Sequence, residues 1–512
     1  MRQGNHGRTI RQGGGKKGGQ KPHPKSGARK RDPRKPRRPR KPRRGGGWRF
    51  GGMRAVARTR QTFLQTPDLC FGKLLPAAVV QEALARSGLV FRDCFYTPLV
   101  TLWTFLYQVL CPDPSCRAAV AHLLAGRAGQ GQSDGTSDTG PYCKARERLP
   151  ESLVADLART TGEKLQRRGP AMATLLQGRP VKIADGTTLS MPDSPANQKA
   201  YPQPPSQAPG LGFPILRLLA VISLSCGAVL DIAISPYCGK KTGETALLRH
   251  LFQQFQKGDV ALADALFANY WTFAGLLKRG ADMLARHDGK RLVDWRSGKR
   301  LGKKDHLVVW KKPPKPQWMR RKEYRRMPAE LVLRELAVEV CQPGFRTQRI
   351  VVVTSLTDAQ AYPKQQIAAA YRARWQAELD LRAIKQVLAM EILRCRTPDM
   401  VRKEIWMHLL AYNLIRTLLA DAAQTAGVEP RELSFTAGLQ MLNAFAPIWA
   451  ALATGAAAQD ALYATILHAI ARHRVGNRPD RIEPRAVKRR PRPRTYLTVP
   501  RHVARKRLLT KS

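Results

Sequence analysis

Tyr371, Arg374, Glu378 and Lys385 stand within fifteen residues of one another and have the side-chain types that handle phosphate and metal. At about 100° per residue of an α-helix they fall near 0°, 300°, 340° and 320°. One stripe roughly 60° wide thus carries an aromatic, a carboxylate and two cations. Leu381, Ile384 and Leu388 fall on an adjoining stripe that suits burial. A solvated face with an i, i+4 Arg/Glu pair has the same pattern, so the stripe alone leaves both readings open. Two aspartates upstream favour chemistry. Asp185 is read at a strand-to-turn junction in RPVKIADGTTLSM, and Asp264 at the end of the short apolar strand DVALAD. An acid at the end of an apolar strand in a basic chain is costly unless paired or metal-bound. Hard divalent cations take oxygen ligands, and two of them about 3.5–4 Å apart can clamp the attacking and leaving oxygens of a phosphoryl transfer. Three carboxylates at the ends of adjacent elements suffice for that.

Other acids lie close by in sequence. Asp380 falls about 200° round the helix from Glu378 and is expected to face away. Asp259 follows Lys257-Gly258 and reads as a turn residue, Asp231 as a strand end, and Asp193 as part of a Pro-rich loop.

The elements that must position these acids follow from patterning. PLVTLWTFLYQVL (98–110) is a helix with Thr97 as N-cap and Pro98 at its first position. DPSCRAAVAHLLAG (113–126) is a second helix, and the basic stretch from Tyr142 to Gly169 holds one or two more. From residue 179 the period changes. FPILRLLAVISLSCGAVLDIAISPYC is apolar for two strands around a Ser225-Cys226-Gly227 turn. TGETALLRHLFQQFQKG reads as a helix capped by Thr242. A strand ending at Asp264, a helix (YWTFAGLLKRG) and a strand (ADMLARH) follow, which makes a mixed α/β sheet. Residues 287–348 are basic and β-rich, with Trp295, Trp310 and Trp318 interleaved. The chain returns to the main sheet at 349–354, and Pro363 opens the long helix bearing Glu378. Residues 396–472 are helical and apolar.

Composition narrows the partners. The net charge is +52 over 512 residues, and residues 1–50 hold 19 Lys or Arg against the single acid Asp32. Removing that +18 leaves +34 on the rest, so the globular part is basic too. A polyanion is the expected partner, nucleic acid first and an anionic membrane surface second. Residues 1–52 are low-complexity and bury nothing, so they read as a disordered basic tail, with Met53 as an alternative start; residues 473–512 form a second basic tail. The nine cysteines are scattered without a CxxC pair, which argues against a zinc module or disulfide framework and for reduced thiols in a cytosol. No apolar secretory core is visible, and the apolar runs Leu218–Leu230 and Ala444–Ala458 are too short to span a membrane.

Taken together, DGTT at 185, ADALF at 263 and Y-x2-R-x3-E-x6-K at 371 resemble the DDE transposases of bacterial insertion sequences. The last spacing is similar to the YREK signature of the insertion-sequence-four group. The resemblance runs from about residue 90 to 500 and takes in DPSCRAAV, YCKARERLP, GKRLGKKDH and NRPDRIEPR. It implies an RNase H-like mixed-sheet core over 179–286 and 349–395, a β-rich insertion over 287–348, and helical regions over 60–175 (DNA-binding) and 396–472. Asp185, Asp264 and Glu378 would be both the catalytic residues and the ligands of two Mg²⁺ ions, with Mn²⁺ as a substitute. Tyr371, Arg374 and Lys385 would hold phosphates, and Trp310 would stack on a flipped base. The reaction implied is cut-and-paste transposition: end nicking, hairpin release and strand transfer. Its partners would be duplex DNA at terminal inverted repeats and at the target, bound by a cytoplasmic, nucleoid-associated homodimer with no membrane role. One departure stands out: the arginine usual after the second aspartate is Ala265. That leaves room for an alternative, a catalytically silent DNA-binding protein derived from a transposase.

Overall fold

The computed structural model describes residues 71–88, 94–129, 131–132, 135–168, 175–289, 291–340, 348–452, 455–476 and 494–510. The tail expected over 1–52 and part of that over 473–512 lie outside them.

Strand β1 (Val181–Ser190) organises the sheet. It pairs antiparallel with β2 (Ile215–Ser223), which pairs antiparallel with β3 (Val229–Pro236). On its other side β1 runs parallel to β4 (Val260–Ala263), and β4 runs parallel to β5 (Asp282–Arg286). The order β3-β2-β1-β4-β5, with only β2 reversed, is the RNase H-like arrangement. Parallel neighbours need helical crossovers, and these cover both faces of the sheet. Hence β4 is four buried residues, VALA, and the last six residues of β2 are buried. Alternation sorts the side chains. Val181, Ile183, Val260 and Leu262 join one apolar core, while Ala184, Ala261 and Ala263 join the other.

The β-rich stretch does not make a sheet of its own. It supplies β6 (Lys299–Gly302), β7 (Asp305–Lys311) and β8 (Glu330–Val340), and β9 (Gln348–Thr354) ties them antiparallel to β5, which gives one nine-stranded sheet.

The helices Glu151–Arg168 and Pro398–Ala426 pack along each other over the first core. Gly162 allows the close approach, since a Cβ there would lie 2.4 Å from the Val229 carbonyl oxygen. Asn413, fully buried, stitches the layers together. Its Nδ2 donates to the carbonyls of Ala158 (2.9 Å) and Val229 (2.8 Å), and its Oδ1 accepts from the Val229 N–H (2.9 Å). Both of its polar ends are thereby satisfied, as burial demands.

Three expectations need correction. Strand β1 is not broken at Asp185-Gly186; Asp185 pairs with Ala220 and Gly186 with Leu219 in an unbroken ladder. Gly186 is required by crowding rather than by a turn, because a Cβ there would stand 2.6 Å from the Glu244 carboxyl carbon. The helix after β3 is Glu244–His250, with Gly243 rather than Thr242 at its N-cap, and a 3₁₀ turn at Phe252–Gln254 ends the run. The helix opened by Pro363 is not continuous. It runs Lys364–Ala373, is interrupted at Arg374, resumes as Trp375–Arg382, and passes into a π turn at Ala383–Val387.

Candidate active site

Register brings the two aspartates together. Ile183 of β1 faces Leu262 of β4 in the parallel ladder. Asp185 and Asp264 each lie two residues further on, so they share a face at the carboxyl end of adjacent parallel strands, where α/β sheets present their chemistry. Beyond Ala263 the chain leaves the sheet. Asp264 caps the 3₁₀ turn Ala265–Phe267, its Oδ1 accepting the Leu266 N–H at 2.9 Å. Asp185 stays in the strand and accepts the N–H of Gly186 at 2.9 Å.

Glu378 comes from the Trp375–Arg382 helix, which packs on β1 through the core containing Ala377 and Leu381. Arg374 bridges the acids: its Nη2 donates to Glu378 Oε1 at 3.0 Å, and its Nη1 stands 3.8 Å from Asp185 Oδ2. Burial pushes the Asp185 carboxyl up to about 6. Arg374 and the Gly186 N–H pull it down, and the charges of Asp264 and Glu378 push it up again. Asp185 and Glu378 therefore share one guanidinium, and Asp264 is an electrostatic neighbour of Asp185. Burial acts to lower Arg374, but Tyr371, Asp185 and Glu378 outweigh it and hold that cation above its ordinary value. Tyr371 is buried beneath them. Burial raises its phenol, Arg374 and Arg286 lower it, and Asp264 raises it.

Among the described residues no group of three His, Cys, Asp or Glu is arranged to hold a metal ion as it stands. Asp185 and Glu378 are instead engaged by Arg374. The donor set still suits a hard divalent cation: all its atoms are carboxylate oxygens, and Arg374 engages only two of the three acids.

One site expectation does not fit the geometry. Trp310 cannot stack on a base, because it is 3 % exposed. Its Nε1 donates to Glu335 Oε1 at 3.1 Å, Phe273 meets it edge-on at 5.6 Å, and the Arg291 guanidinium lies 4.1 Å from its ring centroid. The lysines at 311 and 312 do not make it exposed. In a strand neighbours alternate, so Trp310 turns inward while Val309 and Lys311 turn out. Lys385 pairs outside the three acids. The π turn changes the helical phase, and the ion pair it makes is with Glu391 at 3.7 Å.

Sequence reasoning missed one neighbour, Glu244. It backs onto Gly186, pairs with Arg217 at 3.7 Å, and has its carboxyl raised by burial, with Arg217 opposing and Asp264 adding. The only signal was the glycine after Asp185, which was read as a turn. Among the competing acids, Asp231 pairs with Arg159 at 2.8 Å, and Asp259 makes a buried pair with Lys182 at 2.6 Å.

Comparison with known proteins accords with this geometry. A family model described as "Transposase DDE domain" matches residues 176–414, the span that holds all three acids. Transposase InsG for insertion sequence element IS4, from Escherichia coli (strain K12), is 26% identical over 397 residues, 75% of this chain and 84% of that protein. The putative transposase InsL for element IS186A, from the same strain, is 34% identical over 70 residues, 14% of this chain and 19% of that protein. Among solved structures, the piggyBac transposase synaptic complex with hairpin DNA covers 78% of this chain and 84% of that one at 8% identity. Its TM-score is 0.39. The domain match and the relative that aligns along three quarters of the sequence agree in kind: residues 176–414 of this chain are similar to the transposase DDE domain, and the long relative is a transposase of an insertion sequence.

Proposed function

We propose that this chain is a DDE transposase of the insertion-sequence-four group, which moves its element by Mg²⁺-dependent cut-and-paste chemistry with Asp185, Asp264 and Glu378 as its catalytic acids. The observation that carries the reading is the level position of the two aspartates, each two residues past the Ile183–Leu262 pair, beneath the helix bearing Glu378. These carboxylates would hold Mg²⁺, with Mn²⁺ as a substitute. Bound there, such ions supply Lewis-acid stabilisation of the charge that develops on the phosphoryl oxygens.

The chain's own residues orient the strand. Arg374 neutralises Asp185 and Glu378 in the DNA-free chain, and it is the guanidinium that a scissile phosphate approaching those acids meets first. Tyr371, tucked beneath it, fixes where that guanidinium sits. Lys385 serves a phosphate further along the end, since its weak pairing with the exposed Glu391 leaves it ready to exchange partners. Water nicks the end, the freed 3′-hydroxyl attacks the opposite strand to release a hairpin, and the reopened 3′-end attacks target DNA. The helical region over 60–175 and the insertion over 287–348 contact DNA around the core at 179–286 and 349–395. The working unit is a homodimer on paired terminal repeats, in the nucleoid of the cytoplasm. Among the described residues no helix is long and apolar enough to cross a membrane.

Cleavage of labelled DNA carrying the element's own ends, in Mg²⁺, tests this. The unaltered protein should nick at the end, and Asp264→Asn and Glu378→Gln should not. Binding of the ends without cutting, in Mg²⁺ or in Mn²⁺, would sink the catalytic reading. The silent DNA-binding derivative would then stand, a reading that Ala265 in place of the usual arginine favours.

A further inference from the structure

Away from the acids, a cavity of about 730 Å³ opens between the Pro98–Leu110, Cys116–Gly129 and Gly140–Arg148 helices and the segment that follows the π turn. Cys116 opens one of these helices and Cys143 lies in the first turns of another. Both line the cavity and both are half-buried, so a small solute can reach them. Their sulfurs stand 3.8 Å apart although the residues are 27 apart in sequence. A disulfide needs about 2.05 Å, so the sulfurs must close by less than ~2 Å, a movement within reach of side-chain rotation.

Arg146 sits against both sulfurs. Its Nη2 is 3.2 Å from Cys116 Sγ and 3.7 Å from Cys143 Sγ, and its Nη1 donates to Gln108 Oε1 at 3.1 Å. Its guanidinium also stacks on Phe105 (5.0 Å) and Tyr142 (4.9 Å). The side chain is almost fully buried, and its Nε has no hydrogen-bond partner. Among the described residues no carboxylate lies within ion-pair distance of it. Glu404, on the cavity wall, is taken up by the N–H groups of Arg394 and Cys395. A buried cation without an acid is costly. The anion this arrangement can accept is a thiolate formed as one of the two sulfurs reacts. Burial pushes the Cys116 thiol up and Arg146 pulls it back, so the thiol rests protonated and the cation acts when it ionises.

We propose that Cys116 and Cys143 form an oxidisable dithiol, a modification site separate from the DNA chemistry. Hydrogen peroxide transfers one oxygen to a thiol sulfur, its O–O bond breaking, to give a sulfenic acid, and leaves as water. The other sulfur then attacks that Sγ, the S–O bond breaks, and its proton leaves with the hydroxide as a second water. Two thiols are oxidised to one disulfide and one peroxide is reduced to two waters. The product ties the Cys116–Gly129 helix to the Gly140–Arg148 helix, and a thiol reductant reverses it.

The test uses the full chain, reduced, freed of reductant, treated with hydrogen peroxide, then alkylated and digested with trypsin. Cys94, Cys111 and Cys116 share one tryptic peptide, Asp93–Arg117, and Cys143 lies in Ala128–Lys144. The expected product is a cross-link between these two peptides, formed at least ~10-fold faster than any other pair and reversed by dithiothreitol. It should vanish in Cys116→Ser and in Cys143→Ser and persist in Cys111→Ser and Cys94→Ser. Circular dichroism melts of each serine variant establish that it is folded. Cross-linking that survives Cys116→Ser, that forms with Cys395 at a similar rate, or that appears only after unfolding in urea would overturn the proposal. So would stepwise oxidation of both sulfurs to sulfinic acids without a bridge.

Discussion

Two acids, two residues apart on one helix, meet opposite surroundings. Asp380 is fully buried and over-supplied with cations: Arg416 Nη2 lies at 2.5 Å, Arg431 Nη2 at 2.9 Å, and the Tyr412 hydroxyl donates at 3.0 Å. Glu378 is 40 % exposed and shares one arginine with Asp185, while Asp264 raises the acid load further. The first cluster has two guanidiniums for one carboxylate, whereas in the second one guanidinium serves two carboxylates and a third adds its charge. In a chain of net charge +52, a local surplus of acid is the exception. A closed cluster locks elements together, whereas an acid surplus at the open end of a sheet invites a cation from solution. The two sites should therefore respond to the same kind of substitution in opposite ways.

The largest expected effect lies at the open site. Glu378→Gln, Asp264→Asn and Asp185→Asn should each lower end cleavage by ~10³-fold or more, the scale of losing an electrostatic clamp on a phosphoryl transition state. Urea unfolding midpoints should fall little or not at all, because each change removes a surplus negative charge. Full cleavage by any one of these variants would break the contrast at its functional end.

Asp380→Asn should do the reverse. It leaves Arg416 and Arg431 buried beside a neutral amide, which costs roughly 3–5 kcal/mol. Urea denaturation read by tryptophan fluorescence measures this. Cleavage per folded molecule should stay near that of the unaltered chain. A normal midpoint would mean that the cluster is not the lock its geometry suggests.

Much of this contrast was legible beforehand, for reasons of period. A helical step of about 100° separates Asp380 from Glu378 in any α-helix, and alternation in β4 sets Asp264 at a strand end. The Thr97 cap is found, its hydroxyl accepting the Val100 N–H at 3.2 Å, and so is the Ser225-Cys226-Gly227 turn between β2 and β3. What escaped depends on partners distant in the chain. Gly186 was read as a turn because the pressure on it comes from Glu244, 58 residues later. Trp310, expected to stack on a base, has Glu335, Phe273 and Arg291 as its partners instead. The π turn that diverts Lys385 changes phase inside a helix whose composition gives no warning.

A smaller effect follows from pH. Folding raises the Asp185 carboxyl from its ordinary 3.8 to about 6. The folded chain therefore holds this proton more tightly than the unfolded chain does. The stability this contributes is fully present below about pH 4 and is lost as pH rises through about 6. At about 1.4 kcal/mol per unit, the loss in metal-free protein is about 2–3 kcal/mol. Asp185→Asn carries no such titration, so its advantage over the unaltered chain should be small at pH 4 and should grow to that size by pH 7.5. Urea midpoints across that range, with chelator present, read it. A constant difference would mean that burial does not hold the Asp185 carboxyl above its ordinary range.

The smallest effect expected comes from supplying a second cation. Ala265 is half-buried, next to Asp264 and beside the exposed Leu266, in the position where relatives by resemblance carry arginine. An arginine there would sit at the rim of the acid cluster, exposed enough that its pairing with Asp264 is worth less than ~1 kcal/mol. Its larger use is toward DNA, where one added phosphate contact should steepen the log–log salt dependence of end binding by about 0.9. Ala265→Arg should therefore tighten binding of labelled ends a few-fold at low salt, with little gain at high salt. It should also reduce the pH-dependent loss of stability, since a nearby guanidinium favours ionised acids. Fluorescence anisotropy titrations at several salt concentrations separate these terms. Tighter binding with an unchanged salt slope would place the new side chain off the DNA path. Weaker binding would mean that the site needs its acid surplus undisturbed, which would extend the contrast with the Asp380 cluster to the rim of the site.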